Sequence, residues 1–181
     1  MLRKILSFGA IAGLIAGGVL SALTIAMAGH GMLAYGEIIG YSTMLVALSA
    51  VFVAIKRHRD HELGGVIRFW PAFGLGLGVS FVASLIYVAS WEFAVAVSHI
   101  DFATSYSNFL IEQEKAKGAS AEAIARMTAE MDEFKVMYAN PLFRLPMTFV
   151  EIFPVGLLVS LVSAALLRNR GFLPARPAAA A

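Results

Sequence analysis

The sequence predicts an all-α integral membrane protein: a four-helix bundle with an extracytoplasmic amphipathic helical hairpin between helices 3 and 4. Of the 181 residues, 59% are hydrophobic and only 14% are charged, well below the ~25% that is usual in soluble domains. Four long stretches are almost free of charge, and the segment between the last two repeats apolar residues at helical spacing. These observations indicate that lipid is the solvent for most of the chain.

The four apolar stretches cover about residues 5–28, 36–55, 69–98 and 145–167. A helix needs ~20 apolar residues to cross a membrane, whereas a barrel strand needs ~10 alternating ones, so each stretch predicts a spanning helix. Together with the hairpin, at about 100–140, they form one predicted membrane domain over residues 1–170. The remaining segment, 171–181, contains two prolines and ends in four alanines, which predicts a disordered tail.

The first stretch also fits a second interpretation. Arg3 and Lys4 precede it, and Ala26-Met27-Ala28 resembles the cleavage site of a secretory signal peptide. The apolar region of such a peptide has ~7–15 residues, whereas this run has 24. We therefore expect a membrane anchor that is retained, and with either interpretation the second helix enters the membrane from outside.

The hairpin is predicted from apolar residues at intervals of three and four. Its second helix has one such face, and its first helix has a similar face formed by Phe102, Tyr106 and Phe109. The face of the second helix consists of Ile124, Met127, Met131, Phe134 and Tyr138. Between the helices, Gly118 suits a left-handed C-terminal cap and Ser120 an N-cap. Asn140-Pro141 is expected to end the second helix.

Lys and Arg predict the orientation, because they are enriched in the short cytoplasmic flanks of spanning helices. Of the 14 Lys and Arg residues, nine lie before the first span, between the second and third spans, or after the fourth. The other five are spread along the hairpin connection, where seven acidic residues outnumber them. Both termini are therefore expected in the cytoplasm and the hairpin outside.

Composition also limits the classes of function. A net charge of +2 gives no reason to expect a nucleic-acid partner, and a chain without cysteine cannot form disulfides or use a thiol nucleophile. His58, Asp60, His61 and Glu62 have the residue types of a metal cluster. They lie in a short connection with three cations, so a solvated turn is the preferred interpretation, and no cofactor is expected.

Three carboxylates interrupt the apolar stretches: Glu37, Glu92 and Glu151. A carboxylate in the membrane costs several kcal/mol unless it is paired or protonated, so such residues mark candidate functional sites. At ~1.5 Å per residue, Glu92 and Glu151 both fall about six residues inside the outer boundary. If their helices are neighbours, the two acids would lie close together and share a proton or a cation.

Glu37, His30 and His99 would then form the outer entrance to this candidate proton or cation site, and Arg144 lies near the same boundary. In the alternative interpretation the acids have a structural role only. Glu37 then faces interfacial water, and the two deeper acids are neutral and hydrogen-bonded within the bundle, with Tyr41, Tyr87 and Thr148 among the available partners.

Small residues at four-residue spacing predict where helices pack closely. Gly9, Gly13 and Gly17 form such a face on the first helix. Similar faces occur on the third span, at Gly76, Ser80 and Ser84, and on the fourth, at Gly156, Ser160 and Ala164. The preferred interpretation is packing within the chain, and the alternative is a homodimer through the first helix.

Five phrases stand out together along the chain. They are Tyr35 to Tyr41, Arg59-Asp60 with Gly64 to Ile67, Tyr87 to Glu92, Asn140 to Arg144 and Glu151 to Gly156. In combination they resemble the bacterial membrane family called domain of unknown function 4199, from about residue 3 to residue 168. The resemblance implies four spans and a location in the bacterial inner membrane, and it supplies no activity, substrate or site residue.

Two classes of function follow from these features. The first is a non-enzymatic scaffold or accessory protein that works by association, as a homo-oligomer or with another membrane protein, and uses the hairpin as its docking surface. The second is a small transporter or a proton- or cation-binding protein that uses Glu92 and Glu151. A hydrated polar cavity at these acids favours the second class, and a dry bundle with capped carboxyls favours the first.

Overall fold

Helices make up nearly all of the chain that the computed structural model describes, namely residues 1–26, 33–99 and 101–175, with side chains over 1–25, 38–99 and 101–175. No strand occurs in these ranges. Four of the helices are long and apolar enough to cross a membrane, so the protein is an all-helical membrane protein. In chain order the helices are α1 (Leu2–Ala26), α2 (Leu33–Glu62), α3 (Phe69–Ser98), α4 (Phe102–Ala116), α5 (Ala121–Ala139) and α6 (Pro141–Leu167).

The glycine face of α1 packs along α3. A Cβ atom on Gly9 would lie 2.6 Å from the Cβ of Val82, and one on Gly13 would lie 2.7 Å from the Cβ of Ile86. Because these distances are well inside van der Waals contact, only glycine permits the two backbones to approach so closely. The close packing predicted within the chain is confirmed, and α3 covers the face through which the alternative homodimer would form.

The faces of α3 and α6 that consist of small residues also pack together, and serine hydroxyls form hydrogen bonds between them. The Ser80 hydroxyl donates to the Gly156 carbonyl at 3.1 Å and lies 3.0 Å from the Ser160 hydroxyl. A Cβ on Gly156 would lie 2.7 Å from the Cβ of Ser80. This buried contact fixes the register of α6 against α3 in the middle of the bundle.

The helical hairpin between α3 and α6 is present as predicted. Gly118 has a φ of 78°, which is the left-handed conformation expected of a C-terminal cap. The Ser120 hydroxyl accepts from the Ala123 N–H at 3.2 Å, so Ser120 is the N-cap of α5. On the predicted apolar face of α5, Tyr138 is buried and Phe134 is half-buried.

The fourth span begins earlier than the expected residue 145. Asn140 ends α5 as predicted, and its side chain also caps α6 by accepting from the Leu142 N–H at 3.0 Å. Pro141 occupies the first turn, where its missing N–H has no helical partner to lose. α6 therefore follows α5 after one residue, and Arg144 lies within the helix.

The bundle has two ends, which differ in the segments they carry. We call the end with α4 and α5 the hairpin end, and the opposite end the terminal end. At the terminal end, an ion pair of 2.5 Å between Lys4 and Glu62 joins the start of α1 to the end of α2.

The tail expected over 171–181 is ordered in its first part. Phe172 packs against Phe52, with ring centroids 6.4 Å apart. The Phe172 carbonyl also accepts from the Arg59 guanidinium at 2.9 Å. These contacts hold residues 171–175 against α2, and they correct the prediction there, whereas 176–181 lie outside the described residues.

Candidate functional site

A cavity of about 430 Å³ lies at the hairpin end of the bundle. Side chains from all six helices line it, and Glu151 is the one charged residue in this lining as far as the structure describes it. We call this space the aromatic cavity because eight of its lining residues are aromatic: Tyr41, Tyr87, Trp91, Phe102, Tyr106, Phe109, Phe134 and Tyr138.

Helical spacing explains how the aromatic residues come together. Tyr87 and Trp91 are one turn apart on α3, and Phe134 and Tyr138 are one turn apart on α5. The Trp91 ring meets Phe102 edge-on, with centroids 5.0 Å apart, and its indole N–H donates to the Tyr138 hydroxyl at 2.8 Å. The apolar face predicted for the hairpin thus covers the ends of the spanning helices.

The Tyr138 hydroxyl is a fixed neutral group in this wall. Burial raises the pKa of Tyr138 to about 12, so the phenol keeps its proton at physiological pH. It therefore contributes a dipole to the cavity wall and no charge.

Glu151 has few partners for a carboxylate. The Tyr87 hydroxyl donates to Glu151 Oε1 at 3.3 Å, which is a long contact for two oxygens. Thr148, one turn earlier, donates to the Arg144 carbonyl instead. An ionised carboxylate can accept about four hydrogen bonds, so Glu151, which is exposed, retains most of its capacity for a ligand in the aromatic cavity.

Glu92, in contrast, forms a bidentate ion pair with Arg144. The guanidinium donates two parallel hydrogen bonds to the carboxylate, at 2.7 Å from Nε and 2.6 Å from the terminal nitrogen. Arg144 also donates to the Tyr138 carbonyl at 3.3 Å and lies 5.6 Å from the centre of the Tyr138 ring. Paired in this way, Glu92 joins α3 to the base of the hairpin.

The two acids lie at different depths, contrary to expectation. Glu92 contacts Arg144, whereas Glu151 contacts Tyr87, which precedes Glu92 on α3. Glu151 follows Arg144 by two turns, so it lies about 10 Å further along α6. The expectation of equal depth is wrong because it counted the depth of Glu151 from residue 145, while α6 begins at Pro141. No hydrogen bond joins the two carboxylates within the described chain.

A family model described as "Protein of unknown function (DUF4199)" matches residues 11–169. The chain belongs to this family. The resemblance carried by the sequence phrases is thereby confirmed, and every residue that lines the aromatic cavity lies inside the matched region. No curated protein and no solved structure matches the chain.

The structure describes only part of the predicted outer entrance. Glu37 belongs to α2, but its side chain lies outside the described residues, as does all of His30. His99 is exposed and ends α3 in the left-handed conformation, with a φ of 53°. An entrance formed by these three residues stays a prediction.

The terminal end contains a buried cation that sequence reasoning assigned to a solvated turn. Arg59 is fully buried and donates to the carbonyls of Leu167, Phe172 and Leu173 and to the Asp60 carboxylate. The signal for its burial is the four-residue spacing from Val51 through Ile55 to Arg59, all with 0% exposure. A helix that continued beyond residue 55 would have placed Arg59 on that buried face.

Asp60, His58 and Glu62, which have the residue types of metal ligands, form ion pairs at the terminal end instead. The Asp60 carboxylate accepts from Lys56 and Arg59, and Glu62 pairs with His58 at 2.7 Å and with Lys4. Within the described ranges, no three His, Asp or Glu side chains are grouped as metal ligands. This cluster ties α1, α2 and the end of α6 together.

Proposed function

We propose that the protein is a non-enzymatic membrane protein that binds a cation in the aromatic cavity and balances its charge with Glu151. This is the cation-binding class that the sequence left open, now centred on Glu151 without Glu92. One observation carries the proposal. Among the described residues that line a cavity of about 430 Å³, Glu151 is the one that carries a charge, and its hydrogen bond to Tyr87 is 3.3 Å long.

The same proposal includes an orientation in the bacterial inner membrane, with the hairpin end outside and both termini in the cytoplasm. The concentration of Lys and Arg at the terminal end supports it. Because the sequence has no cysteine, His61→Cys and Ser120→Cys give single reactive positions, both exposed. In intact cells, a membrane-impermeant maleimide should label the Ser120 variant and spare the His61 variant. The reverse pattern would refute the orientation.

Modification by dicyclohexylcarbodiimide tests the cation site. This apolar reagent forms a stable acylurea with carboxyl groups that lie unpaired in apolar surroundings. We expect labelling at Glu151 and none at Glu92, whose carboxylate is held by Arg144. A cation bound at Glu151 should slow the labelling, so sodium, potassium and tetramethylammonium are compared at one ionic strength by peptide mass spectrometry.

The Glu92→Gln variant is the control and should still be labelled at Glu151 and protected by cations, although less strongly than the parent because Arg144 loses its counter-charge. The proposed function is contradicted if Glu151 is not labelled, or if none of the three cations slows its labelling.

Association through the hairpin is the second candidate function, and a specific observation supports it. Apolar side chains are exposed where α5 meets α6: Val136 at 76%, Met137 at 46% and Leu142 at 81%. A photo-crosslinking residue at Val136 separates the outcomes in native membranes. A discrete adduct with one protein, or with a second copy of this chain, supports association, whereas adducts with lipid alone contradict it.

A further inference from the structure

The charge of the aromatic cavity selects a cation. Among the described residues that line it, Glu151 carries a carboxylate and none is Lys, Arg or His. The one ion pair nearby, between Glu92 and Arg144, is already neutral as a pair. A ligand with one positive charge would therefore complete the charge balance of the cavity.

The walls of the aromatic cavity favour an organic cation over a metal ion. Calcium takes ~6–8 oxygen ligands, whereas the described residues that line the cavity offer one carboxylate and a few hydroxyl groups. Aromatic rings, in contrast, attract ammonium and guanidinium groups through their faces. One ring of this wall already does so, since the Arg144 guanidinium lies 5.6 Å from the centre of Tyr138.

The size of the aromatic cavity also suits an organic ligand. Pockets for small organic molecules have volumes of ~300–1,000 Å³ and are mostly apolar with few polar groups. A volume of about 430 Å³, eight aromatic residues and one carboxylate fit that description. An ammonium group would contact Glu151, and an apolar substituent would pack under the hairpin against Phe109 and Phe134.

We propose that the aromatic cavity binds an alkylammonium cation, with the ammonium group on Glu151 and the attached apolar group between the aromatic side chains. This inference rests on the proposed function and names its ligand class. The ammonium group can come from a free amine or from a phospholipid headgroup, because the cavity lies between membrane-spanning helices. Both sources offer the same chemistry to Glu151.

Trp91 provides the measurement, because it lines the aromatic cavity. The sequence has two tryptophans, and the other, Trp70, lies near the opposite end of α3, ~31 Å along the helix. In the Trp70→Phe variant, all tryptophan emission therefore comes from the cavity. The full chain is placed in nanodiscs of phosphatidylglycerol and titrated with benzyltrimethylammonium, and separately with neopentylbenzene, its neutral isostere.

Benzyltrimethylammonium should change the Trp91 emission in a saturable manner, and neopentylbenzene should bind at least about tenfold more weakly, because it lacks the charge. Glu151→Gln should lower the affinity for the cation by about tenfold or more, and Glu92→Gln, which leaves the Arg144 charge beside the cavity without its carboxylate, should lower it by less. Phe109→Leu should weaken it about threefold by removing one aromatic face. A circular dichroism spectrum like that of the parent excludes misfolding as the cause.

Nanodiscs that hold the phosphatidylglycerol fraction fixed and replace an uncharged glycolipid with phosphatidylethanolamine separate the two sources, because the surface charge of the bilayer then stays constant. If the headgroup occupies the cavity, the apparent affinity for benzyltrimethylammonium falls as the phosphatidylethanolamine fraction rises. An unchanged affinity identifies a free amine as the ligand. Equal binding of neopentylbenzene, or no saturable response, overturns the ammonium proposal. In that case, protection of Glu151 from carbodiimide by sodium or potassium still supports the proposed function.

Discussion

The hairpin end and the terminal end of the bundle both place charged groups beside apolar helices, but they satisfy those charges differently. At the terminal end, Arg59 is completely buried and donates to three carbonyls and a carboxylate. At the hairpin end, Glu151 has one long hydrogen bond and faces a cavity of about 430 Å³. The Arg59 charge is fully paired within the folded chain, whereas the Glu151 carboxylate can still accept hydrogen bonds from a ligand.

This difference separates structural charges from a functional one within a single chain. Removing a charge whose partners all belong to the protein should lower stability, because the partners are left unsatisfied. Removing a charge that faces a cavity should lower ligand binding and leave stability unchanged. Glu92 belongs with Arg59 in this division, although it lies at the same end as Glu151.

The largest expected effect is at the terminal end. Arg59→Ala should lower the free energy of unfolding by about 3 kcal/mol or more, because it leaves the Leu167, Phe172 and Leu173 carbonyls without this donor. Arg59→Lys, the matched control, keeps the charge but loses the planar fork and should be intermediate. Denaturant titration in detergent measures both. An alanine variant as stable as the parent would contradict a structural role for Arg59.

Packing of α1 on α3 gives the next largest effect. A Cβ on Gly13 would lie 2.8 Å from the Ala83 carbonyl oxygen, whereas a Cβ on Gly18 would meet none of the described neighbouring residues within 4 Å. Gly13→Ala should therefore cost about 1–3 kcal/mol through overpacking, and Gly18→Ala should be neutral or stabilising. Thermal unfolding of the two variants compares them directly. Equal midpoints would show that α1 does not pack closely on α3.

The two acids of the hairpin end should differ by a smaller amount. Glu92→Gln weakens a bidentate ion pair, but the Glu92 side chain is 29% exposed, so screening limits the expected loss to about 1 kcal/mol. Glu151→Gln should change the free energy of unfolding by less than about 0.5 kcal/mol. If the two variants lose equal stability, Glu151 is a structural residue like Glu92.

The smallest effect concerns the pH dependence of the hairpin. Hydrogen bonds from the Thr104 hydroxyl and N–H lower the pKa of Asp101, the N-cap of α4, below its ordinary value of 3.8. Because the folded-state pKa is lowered, this stabilisation is fully present above the ordinary value and is lost as the pH falls through the folded-state value.

Amide exchange in α4, corrected for intrinsic rates, should therefore be constant above about pH 5 and accelerate below about pH 4. The Asp101→Asn variant keeps a capping oxygen and should show no such step. A step of the same size in both proteins would assign it to another group.

The sequence was sufficient for features that depend on neighbouring residues. Charge-free length identified the four spans, and the spacing of apolar residues identified the hairpin. The turn at Gly118 and Ser120 followed from the backbone conformation and capping that these residues favour. Each of these features is determined within a few turns of chain, so pattern alone indicates it.

The partners of the charged residues could not be predicted, because they depend on contacts far apart in sequence. The register of α3 against α6 is set by Ser80 on Gly156, and it pairs Glu92 with Arg144 and not with Glu151. Burial of Arg59 requires the end of α6 and Phe172. Hydrophobic periodicity carries no information on the relative shift of two helices, so the pairing of Glu92 with Arg144 could not be read from it.

Ligand-induced stabilisation of the two glutamate variants tests the division between structural and functional charges most directly. Benzyltrimethylammonium, at ten times its dissociation constant for the parent protein, should raise the free energy of unfolding by about 1.4 kcal/mol, because it binds the folded state alone. The Glu92→Gln variant should keep most of this gain, and the Glu151→Gln variant, whose affinity is at least about tenfold lower, should gain at most about 0.4 kcal/mol. An equal gain in both variants would contradict the assignment of Glu151 as the binding residue.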